Sequence, residues 1–334
     1  TAWAYTLFAA SKLIPEAIRM MSPSVFAKLS PSVLGTFSAG QSAQISLAQL
    51  NVLNRQQVCS FSASAVGALR GEVIKGYVHL DWFPTLSMLT SNQVSQLTSA
   101  QFIKLSKNQI QTLNPLGLTL PQLAYKDVTG QGVLQDLLAA QIAKLSVAVI
   151  SGLTLNQISS KGNNGQMILQ DLTANQIAQL STNVVSIMSV AQLLLKNISG
   201  NQVLQYLSAT QVGALTSTQF AGLSTLEIQK LDATGLKLPQ LAYKDFIGQS
   251  VLQDLLAAQI AKLSVEVISG LTLGQISSKN NNGQMILQDL TANQIAQLST
   301  DVVSMMSVAQ LLLKNISGNQ VLQYLSATQV GALT

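Results

Sequence analysis

The chain has 334 residues, of which 48% are hydrophobic and only 9% charged, and its 18 Lys and Arg exceed its 13 Asp and Glu for a formal net charge of +5. An average soluble domain is about 25% charged, so little electrostatic repulsion keeps copies of this chain apart. No apolar run reaches the roughly 18 residues of a membrane span, regularly spaced Leu, Ile, Val and Ala exclude disorder, and a single cysteine excludes an internal disulfide. That residue, Cys59, is read as a small buried apolar side chain. The basic excess is not kept between the two matching regions. Between residues 99 and 216, Lys104, Lys107, Lys126, Lys144, Lys161 and Lys196 outnumber Asp127, Asp136 and Asp171. Between 217 and 334, Glu227, Asp232, Glu266 and Asp301 replace neutral residues and leave a slight acidic excess. A phosphate-binding surface would keep its charge in both regions, so no nucleic-acid partner is expected.

The chain starts at Thr1, and Thr1–Ala10 lacks the basic segment of a secretory signal, which suits a processed or partial chain. An eight-residue step follows. Ser22, Ser30, Ser38, Ser46, Asn54 and Ser62 are evenly spaced, and Pro23 and Pro31 stand at the favoured first helical position. Ser38/Gln41, Ser46/Gln49 and Asn54/Gln57 spell the capping box. In that motif a hydroxyl or amide oxygen accepts from the N3 amide while the Gln reaches back to the N-cap amide. His79, near Asp81 and Trp82, is the only histidine and is read as a local side chain, not half of a triad. Met88–Thr98 then falls in register with Tyr206–Thr216.

From Ser99 onward a tandem duplication dominates. LPQLAYKD recurs at Leu120–Asp127 and Leu238–Asp245, and a 28-residue stretch recurs at Ser189–Thr216 and Ser307–Thr334, always about 118 residues apart. The step is clearest at the join, Ser208–Leu231. Ser208/Gln211, Thr216/Gln219 and Ser224/Glu227 open three successive phrases that close on Leu215, Leu223 and Leu231. Each phrase predicts a helix of about two turns, with its apolar residue and its Leu on one face. Longer helices are expected around DLLAAQIAKL, within Ala124–Leu145 and Ala242–Leu263, and a pair broken near Gly318 within Ser307–Tyr324. Ser159–Gly165 and Ser277–Gly283 read as loops.

Helices this short are unstable alone, and the spacing lacks the alternation a β-solenoid needs. The fold class is therefore all-α: a right-handed superhelical, armadillo-like solenoid of short capped helices. Its expected parts are a diverged segment over 1–98 and repeat units over 99–216 and 217–334, in one continuous solenoid without linkers. Thr334 stops in the register of Thr216 with no polar capping helix, so the array is expected to continue, or to be covered, at that end.

No phosphate loop, HExxH or GxSxG occurs, so neither an enzyme, a metal site nor a cofactor is expected. Lys126/Asp127 and Lys244/Asp245 read as solvated helix edges. Asn197-Ile-Ser and Asn315-Ile-Ser are N-glycosylation sequons. Tyr125, Tyr206, Tyr243 and Tyr324 are the regularly placed candidates for surface binding.

MSPSVFAKLSPSVL at Met21–Leu34 and LSATQVGALTSTQFAGL at Leu207–Leu223 resemble the mesothelin, stereocilin and otoancorin family. Tandem octads of large bacterial surface proteins share the texture. The family resemblance implies a superhelical stack in an extracellular protein that adheres to neighbouring cells, mucins or acellular gels. This chain departs from it in its near-identical tandem copies, low charge and single cysteine, which favours a bulk structural role. The expected function is that of a secreted structural or adhesive protein whose partner is itself, assembling end to end or laterally into a fibre, matrix or gel. The alternative is an extracellular module that binds a glycan, mucin or peptide on the solenoid face.

Overall fold

A computed structural model describes residues 12–76 and 85–333. His79, Asp81 and Trp82 lie outside the described residues. Among the described residues the chain is all-helical, with 33 short α-helices and no strand. No helix among them is long and apolar enough to cross a membrane.

The eight-residue phrase builds one helical turn where two were expected. Ser208, Thr216 and Ser224 are extended, each with ψ of 161°, and the helices they open are Ala209–Val212, Ser217–Phe220 and Thr225–Ile228. An extended N-cap every eighth residue cannot be part of the preceding helix, so each helix stops after four residues. The apolar residue and the closing Leu still reach the core together. Val212 and Leu215, Phe220 and Leu223, and Ile228 and Leu231 are all buried.

The longer helices expected around DLLAAQIAKL do not form. Val133–Asp136 and Ala139–Ile142 are separate single turns, as are Val251–Asp254 and Ala257–Ile260. The break comes from an N-cap without a hydroxyl. The backbone N–H of Leu256 donates to Oε1 of Gln259 at 3.0 Å, so half of a capping box suffices to start a new helix.

The same glutamines also join distant parts of the chain. Their Oε1 closes the local cap, which leaves the two N–H of Nε2 to donate to backbone carbonyls 25–35 residues earlier. In the compact unit 1–176, Gln49 Nε2 donates to the carbonyls of Ile18 and Met21, both at 2.7 Å. Gln93 in the same unit reaches Val58 at 3.0 Å and Phe61 at 2.8 Å. In the compact unit 177–334, Gln219 reaches Val185 and Met188, both at 2.8 Å, and Gln240 reaches Val212 and Leu215 at 3.0 and 2.9 Å. The accepting carbonyls sit at the ends of earlier helices of four to six residues, where intrahelical partners run out. Gln49, Gln93, Gln219 and Gln240 are buried although polar, since their polar atoms are paired, whereas Gln109, which reaches the Lys75 carbonyl at 2.7 Å, is only partly buried.

Gln and Glu, interchangeable in a capping box, are not interchangeable here. Glu227 accepts from Ser224 N at 2.7 Å and from Ser224 Oγ at 2.9 Å, and a carboxylate has no N–H for a carbonyl. Accordingly it lies at a half-exposed position. Cys59, expected to be a small buried apolar side chain, is only partly buried and donates its Sγ–H to the Met88 carbonyl at 3.1 Å.

The division between the compact units falls between Gln176 and Ile177, inside the first duplicated segment. The duplication boundary at Thr216/Ser217 lies within the second unit. There the N–H of Thr216 donates to Gln219 Oε1 at 2.9 Å, directly across the boundary.

Candidate functional site

Among the described residues, the helical phrases are interrupted by six copies of one tight turn. Each is closed by an isolated antiparallel bridge: Lys126 with Gly132, Lys161 with Met167, Lys196 with Gln202, Lys244 with Ser250, Lys279 with Met285 and Lys314 with Gln320. Lys126, Lys161 and Lys196 are 35 residues apart, and so are Lys244, Lys279 and Lys314. All six lysines are exposed.

The chain reverses at a glycine with positive φ, for example 85° at Gly130 and 83° at Gly248. Nothing lies within 4 Å of a Cβ added at either, so backbone conformation alone calls for glycine there. Asp or Asn opens five of the turns and accepts from the amides ahead of it, in the manner of an Asx turn. Asp245 Oδ1 receives Ile247 N at 3.0 Å and Gln249 N at 2.7 Å. Asn280 Oδ1 receives Asn282 N at 2.9 Å and Gln284 N at 3.0 Å. The turn at Gly162 has no such side chain, and Asn164 substitutes by accepting from Gln166 N at 3.0 Å.

At the tip stands an apolar residue in four of the six turns: Val128, Ile198, Phe246 (with Ile247) and Ile316, each at least 48% exposed. In the second unit, adjacent turns touch, with Gln249 Nε2 donating to Asn281 Oδ1 at 2.8 Å.

A buried carboxylate lies beneath four of the turns, on the helix that follows. Burial pushes the Asp136 carboxyl up to about 6, the charge of Asp127 adds to this, and Lys107 opposes it. Burial likewise raises Asp171 and Asp289, against hydrogen bonds from Asn164 and Asn280. Asp254 is raised by burial, opposed by a hydrogen bond from Thr225, raised further by the charge of Asp245 and opposed again by Asn281. Burial also works on Asp127, but hydrogen bonds from the Thr129 hydroxyl and from the Gln131, Thr129 and Gly130 amides outweigh it and hold that carboxyl low.

The four tyrosines are engaged locally. Tyr125 and Tyr243 pack on Phe102 and Phe220, with ring centroids 5.7 and 5.9 Å apart. Tyr243 also edges a shallow hollow formed with Ser217, Thr218, Ala221, Ala242 and Lys244. The hydroxyls of Tyr206 and Tyr324 accept from Asn201 and Asn319, both at 2.7 Å, and so brace the third turn of each set.

Asn197 and Asn315 open turns, and each is only 5% exposed. Their Oδ1 atoms accept from Ser199 N and Ser317 N at 3.1 Å, and Asn315 Nδ2 donates to the Leu290 carbonyl at 3.1 Å. Glycosylation replaces one of the two Nδ2 hydrogens with a sugar, and with Asn315 only 5% exposed the folded chain leaves no room for it there. The capping residues Ser208, Gln211, Thr216 and Gln219 make the predicted cap bonds, and Gln211 and Gln219 are staples as well. Ser224 and Glu227 form the cap alone.

Reading the sequence found two of the six turns, those rich in Asn and Gly. The signal for the others was Lys followed four residues later by Gly and seven later by Val or Ile, obscured by the louder 118-residue duplication. Among the described residues there is no group of three or more His, Cys, Asp or Glu that could hold a metal ion. Searches against family models, curated proteins and solved structures return no match to this chain.

Proposed function

We propose that this chain belongs to a secreted structural or adhesive repeat protein that self-associates into a fibre, matrix or gel. Each compact unit is a length of right-handed, armadillo-like superhelical solenoid. The observation that carries this reading is the recurrence of exposed apolar turn tips on a sparsely charged chain. A solitary exposed hydrophobic residue is ordinary, but Ile198, Phe246, Ile247 and Ile316 occupy equivalent turns of one compact unit. Equivalent contacts add by multivalency, so weak tip-to-tip attraction between two copies grows with the number of turns engaged. With 9% charged residues, little repulsion opposes it.

The staples suit such a role. They land on backbone carbonyls, which every residue offers, so turns stack without a specific side-chain partner and the array extends by duplication. The resemblance of Met21–Leu34 and Leu207–Leu223 to the mesothelin, stereocilin and otoancorin family supports an extracellular setting. Sedimentation velocity and negative-stain imaging over a concentration series test the reading. Elongated, concentration-dependent assemblies are expected, diminished by Phe246→Ser with Ile247→Ser. Compact, monodisperse particles at every concentration would count against it.

A second reading rests on the hollow beside Tyr243 and Lys244. An aromatic edge with hydroxyls and a cation suits a glycan or a mucin-like peptide. Binding on a glycan array that is lost in Tyr243→Ala would favour it.

A further inference from the structure

We propose that Asp245 and Asp254 hold a single proton between them, that Asp127 and Asp136 do the same, and that these two turns are thereby proton-binding sites which tighten in acid and loosen in base.

The comparison of two turns in the second unit carries the argument. In one, Asn280 lies with Oδ1 on the turn amides and Nδ2 donating to Asp289 Oδ2 at 2.6 Å. In the other, Asp245 makes the same Oδ1 bonds, so its second atom takes the place of that Nδ2 and is an oxygen. The carboxylate it meets, Asp254, is the counterpart of Asp289. An acceptor faces an acceptor where the sister turn has a donor facing one. The result is visible as unpaired atoms: Oδ2 of Asp245 and Oδ2 of Asp254 are both buried without a hydrogen-bond partner, in residues 4% and 0% exposed. Buried polar atoms are nearly always paired, and two carboxylates sharing a site cannot both ionise cheaply. A proton on one oxygen makes it the missing donor, giving a carboxylic acid hydrogen-bonded to a carboxylate with a charge of about −1 for the pair.

In the first unit Asp127 Oδ1 is held by Thr129 N, Thr129 Oγ1 and Gln131 N at 2.8, 2.7 and 2.9 Å, and Asp136 Oδ2 is again buried and unpaired. The groups facing Asp136 are Asp127 from the turn and Lys107 from the 107–110 helix. Those facing Asp254 are Asp245 from its turn, Thr225 from the 225–228 helix at 2.8 Å, and Asn281 from the next turn. A cation is a poorer occupant than a proton. Thr225 and Asn281 present hydrogen-bond donors to Asp254, whereas a hard cation takes six or more oxygens.

The sign follows from the raised carboxyl. Asp136 binds its proton roughly 100-fold more tightly than an ordinary Asp, at about 6 against 3.8. The stability it contributes is fully present below 3.8 and is lost as pH rises through about 6. Above that, the shared proton of Asp127 and Asp136 goes to solvent and two carboxylates repel beneath the tip that carries Val128; loss of the proton from Asp254, raised in the same direction, acts in the same sense beneath Phe246 and Ile247.

The experiment compares the full chain with the Asp127→Asn, Asp245→Asn double variant, which copies the Asn280 arrangement into both turns. Raising the pH from about 5 to about 8 should release about one proton per pair and lower the melting temperature of the wild type. The double variant should lose the part of that dependence that comes from the paired charges, retaining what burial alone supplies at Asp136, Asp171, Asp254 and Asp289. Identical pH profiles for the two chains would overturn the proposal. So would calcium alone restoring wild-type stability at about pH 8, which would make the occupant a cation. Should the double variant not fold, carboxyl NMR titration of the wild type decides. Two coupled steps, one well above 4, uphold the shared proton, and independent titration of all four Asp near 4 refutes it.

Discussion

Replacing Gln219 by Ala separates the two tasks of a capping glutamine, and Gln275→Ala supplies the control. Gln275 makes only the local box, accepting from Thr272 N at 2.9 Å while its own N–H donates to Thr272 Oγ1 at 3.3 Å, in an exposed setting. Its loss should cost about 1 kcal/mol, the ordinary worth of a cap. Gln219 makes the same box with Thr216 and is 3% exposed, with two further bonds to the Val185 and Met188 carbonyls at 2.8 Å. Two buried hydrogen bonds contribute about 1 kcal/mol each, and a carbonyl left unpaired adds about 1–3 kcal/mol. The total is about 4 kcal/mol, so the two variants should differ by about 3 kcal/mol. Urea unfolding followed by circular dichroism reads the difference. Hydrogen exchange at the 182–187 and 217–220 helices localises it, since repeat chains need not unfold in one step. Equal losses in the two variants would refute the staple. Gln219→Glu keeps the local acceptor but turns a carboxylate towards two carbonyls. It should be at least as damaging as Ala at neutral pH and recover in acid, as a buried carboxylate accepts a proton.

Two glycines should respond very unequally to the same substitution. Gly248→Ala meets no atom within 4 Å and should cost only the positive-φ penalty, about 1 kcal/mol, whereas Gly235→Ala would place Cβ against the Ala209 backbone and should cost several-fold more in thermal melts. Phe220→Ala removes a fully buried ring stacked near Tyr243 and should cost about 3–5 kcal/mol by urea unfolding. Expressed through a secretory route, folded chain should carry no glycan at Asn315, as intact mass will show, because its amide is buried against the Leu290 carbonyl and leaves no room for a sugar. Lowering pH from about 7 to about 5 should stabilise the chain through Asp136. Its move from 3.8 to about 6 is worth about 3 kcal/mol only over the full range down to below 3.8; the step from 7 to 5 captures about 1.4 kcal/mol before screening and about 1 kcal/mol or less after it, read as a rise in melting temperature.

The short capped helices were legible in the sequence because capping is local. Ser208 and Gln211 lie three residues apart, and their bonds close within one turn whatever surrounds them. The same holds for the burial of Phe220 and Leu223, which follows from their spacing within the phrase. Even so, the length of each helix was misjudged, since the next extended N-cap ends the helix sooner than apolar spacing implies. Three features needed the tertiary structure, all for the same reason: their partners are remote in sequence or concealed by the fold. Gln211 and Glu227 look alike as cap residues, and only the carbonyls of Ile177 and Leu180, 34 and 31 residues before Gln211, tell them apart. The sequon at Asn315 looks like any accessible one until the fold buries its amide against the Leu290 carbonyl, 25 residues back. Asp245 and Asp254, nine residues apart with no periodic reason to meet, become a pair because the Gly248 turn folds one over the other and burial removes the water that would have kept both charged. Local hydrogen-bonding chemistry thus set the repeating unit, while the packing of one turn on another decided which of its polar atoms are shared, stapled or protonated.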